Sequence, residues 1–186
     1  ANAYLVTTNA AGWASFCAAE NTTLSGEAKT YVCTAVDNNI VTLEPVTHIP
    51  ANEGVFIKGE PNATYQIAPA KTGDAVSINL IKGCLTATTL AGTEGAYILG
   101  VKNGEAGIYQ VTSSITVPAG KAYLQPATTG LAKFLSIAFP GSTTAIEGIE
   151  ADSKTSSANK KYNLAGQRTE SKQGIIIMDG KKYIIK

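Results

Sequence analysis

The chain has 186 residues, of which 44% are hydrophobic and only 16% are charged, whereas an average soluble domain carries about 25% charged residues. Thr, Ser, Asn and Gly must therefore supply most of the polar surface, a composition typical of extracytoplasmic β modules and unlike cytosolic helical enzymes. The net charge is +1 and no polybasic cluster occurs. No apolar run approaches the roughly 18 residues of a membrane-spanning helix. We therefore expect a secreted or outer-membrane surface protein, with no membrane span and no nucleic-acid partner.

Short segments of alternating or β-branched residues, bounded by Gly, Pro, Asn or Asp, follow one another along the chain and predict an all-β fold without helices. Asp37-Asn38-Asn39 and the segment 102–105 contain residues that tolerate left-handed backbone conformations, so each is expected to close a hairpin. The ten predicted strands of the first 140 residues are Ala3 to Thr8, Trp13 to Cys17, Thr30 to Val36, Ile40 to Val46, Val55 to Lys58, Thr64 to Ala68, Ala96 to Val101, Gly107 to Val111, Lys121 to Gln125 and Lys133 to Phe139.

Two successive segments of the chain resemble each other. In each segment, a strand that begins with an aromatic residue is followed by a polar turn, a hydrophobic-Pro-Ala sequence and a further strand. The offset between the segments is 66 residues from Tyr31 to Tyr97 and 68 residues from Pro50 to Pro118. This period is longer than the roughly 20 to 50 residues of solenoid repeats. We therefore predict a β-sandwich-like fold of two similar antiparallel β units, residues 1–82 and 83–140.

Small and polar residues dominate the segment 141–160, which predicts a linker. The tail that follows, residues 161–186, contains Asp179-Gly180 between two β-branched runs, the strongest short-range signal of a β-hairpin. An isolated hairpin is only marginally stable. We therefore expect Ile175, Ile177 and Ile184 to pack on another sheet or on a partner.

The tail contains the sequences YNLAGQR, GIII and DGKKYIIK. Its motif residues are Tyr162, Asn163, Leu164, Gly166, Gln167, Arg168, Gly174, Asp179, Gly180, Lys181 and Lys182. This pattern resembles the C-terminal segment of many secreted and surface proteins of Bacteroidetes, and it is similar to the C-terminal sorting domains of type IX secretion. The tail departs from the usual pattern at Ile176, where an aromatic residue is common, and at Asp179, where Asn is common; the sorting domains are also longer.

The upstream segments GWASFC, IPANEGVFIKG and VPAGKAYL resemble the β modules that often precede such a tail. The resemblance implies export or surface attachment and an adhesin-like role. It implies no defined enzymatic activity.

No catalytic or metal-binding constellation is apparent in the sequence. His48 is the only histidine, and neither a GxSxG nucleophile turn nor a CxxC pair accompanies it, so we predict that the protein is not an enzyme. Cys17, Cys33 and Cys84 lack metal-ligand spacing, and buried free thiols are the favoured interpretation; a bridge between Cys17 and Cys33 stays open. HExxH, calcium-loop and P-loop patterns are absent, so no metal and no cofactor are expected.

Aromatic rings that stack on sugars are the remaining candidates for a binding site. Trp13, Tyr31, Tyr65, Tyr109 and Tyr123 are considered, and only Trp13, beside Gly12 near a predicted turn, is expected to be exposed. The sequence thus predicts a non-catalytic surface module with a role in adhesion or protein interaction, whose tail serves in sorting or docking. The alternative is a carbohydrate-binding module, so the partner is an unknown protein or glycan at the cell surface.

Overall fold

A computed structural model describes residues 3–102, 105–139, 174–178 and 181–185. The chain divides into two compact units, Ala1–Thr144 and Ala145–Lys186. All regular secondary structure in the described residues is β-strand, which confirms the predicted all-β class. No helix in this part of the chain is long and apolar enough to cross a membrane.

The described strands follow one another closely. They are β1 (Tyr4–Thr7), β2 (Trp13–Phe16), β3 (Thr22–Leu24), β4 (Lys29–Asp37), β5 (Ile40–Val46), β6 (His48–Ile49), β7 (Val55–Lys58), β8 (Thr64–Pro69), β9 (Ile81–Cys84), β10 (Thr88–Leu90), β11 (Tyr97–Lys102), β12 (Glu105–Gln110), β13 (Ile115–Val117), β14 (Lys121–Leu124), β15 (Phe134–Ala138), β16 (Gly174–Met178) and β17 (Lys181–Ile185). All ten predicted strands are present, and their ends differ from the prediction by at most two residues. Strands β3, β6, β9, β10 and β13 were not predicted from the sequence.

The largest sheet of the first unit has nine strands in the order β2-β7-β4-β5-β15-β12-β11-β14-β9. Strand β15 joins its two halves, because it pairs parallel to β5 and antiparallel to β12. Near the edge strand β2, the Cys17 N–H donates to the Gly120 carbonyl at 3.1 Å and the Ala122 N–H donates to Ser15 Oγ at 3.2 Å. These bonds bring the first strand of the sheet close to β14, which pairs with the last strand, β9, so the sheet is nearly closed into a barrel.

Smaller sheets cover the outside of the barrel-like sheet and give the fold its sandwich-like layers. The four-stranded sheet β1-β8-β3-β6 lies over the first half, and the two-stranded sheet β10-β13 lies over the second half. The interior of the nine-stranded sheet is filled by a single apolar cluster. Its buried members are Trp13, Tyr31, Cys33, Val36, Val41, Leu43, Phe56, Ile81, Tyr97, Ile108, Ala122, Leu124 and Leu135.

The two halves of the nine-stranded sheet have the same strand order. Strands β2-β7-β4-β5 run in the first half and β9-β14-β11-β12 in the second, each with a covering pair, β3-β6 and β10-β13. The halves differ at their last strand, because β8 pairs with β1 and β3 in the covering sheet whereas β15 enters the barrel. The predicted division between residues 82 and 83 falls within β9, and strands from both predicted units share one sheet.

Matching turns precede β7 and β14. The Glu53 N–H donates to the Pro50 carbonyl and the Lys121 N–H donates to the Pro118 carbonyl, each at 3.3 Å. The third residue of each turn is left-handed, with φ of 68° at Asn52 and 77° at Gly120. This is the geometry of a type II turn, which favours Gly or Asn at that position. The hydrophobic-Pro-Ala steps identified in the sequence therefore lie in turns of the same kind.

All three predicted hairpins are present. Lys102 of β11 pairs with Glu105 of β12, and residues 103 and 104 between them lie outside the described residues. Asp37 pairs with Ile40, and the two residues between them have φ of 50° and 65°, as a type I′ turn requires. In the second unit β16 and β17 are antiparallel, with Ile175 opposite Ile184 and Met178 opposite Lys181. The predicted turn residues of that hairpin, 179 and 180, lie outside the described residues.

Candidate functional site

Trp13 is buried, and the expectation that it is exposed is wrong. Only 5% of it is accessible to solvent, and its ring stacks on Phe139 with centroids 5.9 Å apart and planes 17° apart. Lys58 Nζ lies 5.7 Å from the ring centroid and donates to the Ala11 carbonyl. The turn that begins at Asn9 points the ring inward, because Asn9 Oδ1 accepts hydrogen bonds from both the Ala11 and Trp13 N–H groups. The ring fills one part of the barrel core and offers no face to a sugar.

The other aromatic candidates are also held by the fold. Tyr31 belongs to the buried core of the barrel, and Tyr123 packs against the second-half cluster beneath β10 and β13. Tyr65 is half-buried, and its hydroxyl accepts a hydrogen bond from the Glu60 N–H at 2.8 Å. Among the five rings considered from the sequence, Tyr109 alone joins an exposed aromatic group.

That group is the aromatic pair of Tyr109 and Phe134, neighbours across β12 and β15. Their ring centroids are 5.3 Å apart and tilted by 54°, and Phe134 is 43% exposed. The Phe134 ring lies over Gly107, where an added Cβ would overlap the ring, and the Tyr109 ring lies over Gly100. The two glycines thus let the rings approach the sheet closely, and the pair forms an aromatic surface in contact with solvent.

A polar cavity of about 270 Å³, here called the loop cavity, lies at one end of the second half of the sheet. It is bounded by the loop between β10 and β11, the loop between β14 and β15, and two residues of β11 and β12. Its lining consists of Gly92, Thr93, Glu94, Gly95, Tyr97, Gln110, Gln125, Pro126, Thr128, Thr129, Gly130 and Leu131.

Hydrogen bonds fix the walls of the loop cavity. Gln125 Nε2 donates to the Glu94 carbonyl at 3.0 Å and so ties the two loops together. The Tyr97 hydroxyl donates to the Ala132 carbonyl at 2.8 Å. Tyr97 itself is only 2% exposed, so its ring supports the floor without presenting a face. These contacts make the cavity a preformed feature of the fold.

Left-handed glycines shape the loops around the cavity. Gly92, Gly95 and Gly130 have φ of 87°, 68° and 75°, a conformation that disfavours other residues. A Cβ at Gly95 or Gly130 would meet no described atom within 4 Å, so the space beside both backbones is open. Residues with hydroxyl, amide and carboxylate side chains line this space, and Glu94 is the one charged residue of the described lining.

His48 and Asp74 form a structural contact between β6 and the loop that follows β8. His48 Nδ1 lies 3.3 Å from Asp74 Oδ1, and the N–H groups of Thr47 and His48 donate to Asp74 Oδ2 at 2.6 and 3.2 Å. The backbone hydrogen bond from Thr47, followed by those from His48, lowers the pKa of Asp74. The Asp74 N–H in turn donates to the His48 carbonyl at 2.9 Å. These bonds hold the loop in place and bring no nucleophile to the histidine.

The three cysteines are buried and free, so the Cys17 to Cys33 bridge left open by the sequence is not formed. Burial raises the pKa of Cys17 to about 11 and that of Cys33 to about 12. Both thiols are therefore protonated at neutral pH and are poor nucleophiles and metal ligands. No group of three or more His, Cys, Asp or Glu side chains is placed to hold a metal ion within the described ranges.

Most of the tail motif cannot be placed on the structure. Tyr162, Asn163, Leu164, Gly166, Gln167, Arg168, Asp179 and Gly180 lie outside the described residues, as does the predicted linker 141–160. Gly174 opens β16, and Lys181 and Lys182 open β17.

The residues of the loop cavity were not identified from the sequence. The cavity is built from AGTEG (91–95) and QPATTG (125–130), which the sequence indicates only as turns. The clustering of Gly, Thr and Pro is the one signal that marks these loops, and it does not distinguish a binding loop from an ordinary connection. No protein-family model, curated protein sequence or solved structure matches this chain.

Proposed function

We propose that the chain is a non-catalytic, extracytoplasmic β module that binds a protein partner at the cell surface, in adhesion or another interaction. The observation that carries this proposal is the exposed pair of Tyr109 and Phe134. Aromatic side chains bury large areas with little loss of conformational entropy, and they are enriched at the centres of protein interfaces. The low charge and the abundance of Thr and Gly support the proposed compartment.

The test compares the wild-type chain with Phe134→Ala and with Leu5→Ala, a control in which a 74% exposed apolar residue on another sheet is removed. Each protein is immobilised and exposed to solubilised cell-envelope proteins and to intact cells. We expect Phe134→Ala to lose at least about tenfold in binding, as expected for an interface residue that contributes most of the energy, whereas Leu5→Ala retains it. Equal binding by all three proteins, or recovery of the native protein from the cytosol, contradicts the proposal.

The second unit is proposed to act in sorting or docking. Support comes from the motif residues of the tail and from the pairing of β16 with β17. Cell fractionation of the full chain and of a chain ending at residue 160 provides the test. The shortened protein is expected to be lost from the surface fraction, and unchanged surface attachment would contradict this role for the tail.

We further propose that the first unit arose by duplication of one strand unit. The shared order of strands supports this origin, as do the two matching Pro turns. In addition, the sequence Thr-Thr-Leu occurs at residues 22–24 and again at 88–90, an offset of 66 residues, and forms β3 and β10. The left-handed residues Gly26 and Gly92 follow at the same offset. Duplicated units commonly diverge in their loops, which is where the loop cavity occurs.

Carbohydrate binding is the second candidate function, and the loop cavity is the observation that favours it. The cavity is small and preformed, and its hydroxyl and amide residues can exchange hydrogen bonds with a hydroxyl-rich ligand. A glycan array probed with the wild-type chain is the direct test. Silence on a broad array would contradict this second candidate and would leave the proposed protein partner unaffected.

A further inference from the structure

We infer that the loop cavity is a binding site for a neutral or amino-bearing saccharide and that it discriminates against acidic saccharides. The inference rests on the second candidate function and adds the location of the site and the class of ligand. It follows from three properties of the cavity: the kinds of polar groups, their net charge and the absence of an exposed ring.

The first property is the density of donors and acceptors. Thr93, Thr128 and Thr129 are exposed, and each hydroxyl both donates and accepts hydrogen bonds, as sugar hydroxyls do. Gln110 adds a side-chain amide from β12. Gln125 is oriented by its bond to the Glu94 carbonyl, and because an amide nitrogen carries two hydrogens, the second one is available to a ligand. A saccharide matches this mixed set better than a ligand that only accepts or only donates.

The second property is charge. Glu94 is exposed and is the one charged side chain of the described lining, so no lysine or arginine of that lining offsets a ligand carboxylate or sulfate. A carboxylate attracts an ammonium group through a charge-assisted hydrogen bond and repels an acid. Glucosamine-type units are therefore favoured and uronic acids disfavoured.

The third property is that no aromatic face takes part. Tyr97, the only aromatic residue among the described residues of the lining, is 2% exposed, and its hydroxyl is already bonded to the Ala132 carbonyl. Recognition by hydrogen bonds to exposed groups competes with water, so we expect weak binding, with a Kd of about 1 mM. The volume of about 270 Å³ lies near the lower limit, roughly 300 Å³, of ligand pockets. The cavity therefore suits the end of a chain, with one or two sugar rings.

The test titrates the full chain with three probes: a glucosamine trisaccharide, cellotriose and a galacturonic acid trisaccharide. Binding is followed by calorimetry and by amide chemical shifts in NMR spectra. We expect the glucosamine trisaccharide to bind most tightly, cellotriose next and the galacturonic acid trisaccharide least, with shifts concentrated in residues 92–97 and 125–131. Tightest binding of the acidic probe, or no binding of any probe at about ten times the expected Kd, overturns the inference.

Variants locate the site. Glu94→Gln removes the charge and is expected to weaken binding of the glucosamine trisaccharide by about tenfold while changing cellotriose binding by less than about threefold. Glu27→Gln, in the loop between β3 and β4, is the matched control and should change neither. Thr128→Trp is expected to fill the cavity and abolish binding of both probes, whereas Thr72→Trp, at an exposed position elsewhere, should not.

Far-UV circular dichroism and melting temperature establish that each variant is folded. Binding that survives Thr128→Trp in a folded protein places the site elsewhere and overturns the inference. If Phe134→Ala still lowers the binding of the protein partner in that case, the inference about the loop cavity fails while the proposed interaction function stands.

Discussion

Asn79 makes four hydrogen bonds that connect β4, β9 and the turn before β7, so Asn79→Ala is expected to be strongly destabilising. Its Oδ1 accepts from the Cys33 N–H at 3.2 Å and from the Ile81 N–H at 3.0 Å. Its Nδ2 donates to Glu53 Oε2 at 2.8 Å and to the Gly54 carbonyl at 2.9 Å. Alanine removes all four bonds and leaves backbone groups of β4 and β9 without these partners.

The size of the effect follows from the number of bonds and from the burial of the site. A hydrogen bond contributes a net of about 0.5 to 1.5 kcal/mol, so four give about 2 to 6 kcal/mol. Asn79 is half-buried and water replaces part of this, so we expect a loss of about 3 kcal/mol. For the unit Ala1–Thr144, an unfolding entropy of about 2.1 cal/mol/K per residue converts this loss to a decrease in Tm of about 10 °C.

Thermal and urea unfolding, followed by circular dichroism, measure both quantities. Gln66→Ala is the matched control, because this exposed amide lies on β8 and its removal should cost less than about 0.5 kcal/mol. Asn79→Asp retains the acceptor atoms but loses both donated bonds and places a carboxylate beside Glu53, so it should also be destabilised. A Tm for Asn79→Ala within about 2 °C of wild type would refute the reasoning.

Three further predictions concern the aromatic pair, the acidic loop contact and the buried tryptophan. Gly107→Ala is expected to displace the Phe134 ring and to cost about 1 to 3 kcal/mol, and a cost below this range, measured by urea unfolding, would show that the ring moves freely. Folding lowers the pKa of Asp74 below its ordinary value of 3.8. The ionised carboxylate therefore contributes fully to stability above pH 3.8, and this contribution is lost as the pH falls through the pKa of the folded state. Asp74→Asn should flatten the acid side of a stability–pH curve, and an unchanged curve would contradict this. Trp13, the only tryptophan, should emit at shorter wavelength in the native than in the unfolded chain and resist quenching by iodide; efficient quenching of the native protein would exclude its burial.

Local patterns in the sequence were sufficient to identify the longer strands. Alternating or β-branched runs such as Ile40–Val46 bury one face and expose the other, and this period of two is visible without any knowledge of partners. Four of the five strands that were missed have only two or three residues, too few for alternation to show. Their partners, and not their sequences, make them strands: Thr22 of β3, for example, pairs with both Ile49 and Pro69.

The candidate site was less accessible to sequence reasoning than the fold. Trp13 was expected to be exposed because Gly12 marks a turn, but the turn directs the ring inward onto Phe139, 126 positions later in the chain. The loop cavity combines segments 91–95 and 125–131, which become neighbours only when β11 pairs with β14. Residues that come together from such distant segments show no characteristic spacing in the sequence.

The sequence by itself determined the all-β class, the positions of ten strands, the left-handed turn at Asn38 and Asn39, and the C-terminal hairpin. Each of these depends on interactions between residues close in the chain. The tertiary structure alone decided that β15 enters the barrel between β5 and β12, whereas β8 remains in the covering sheet. It also decided which aromatic rings are buried and where the loop cavity opens. These features depend on pairing and packing between distant segments, whose free energy is set by the whole assembled sheet.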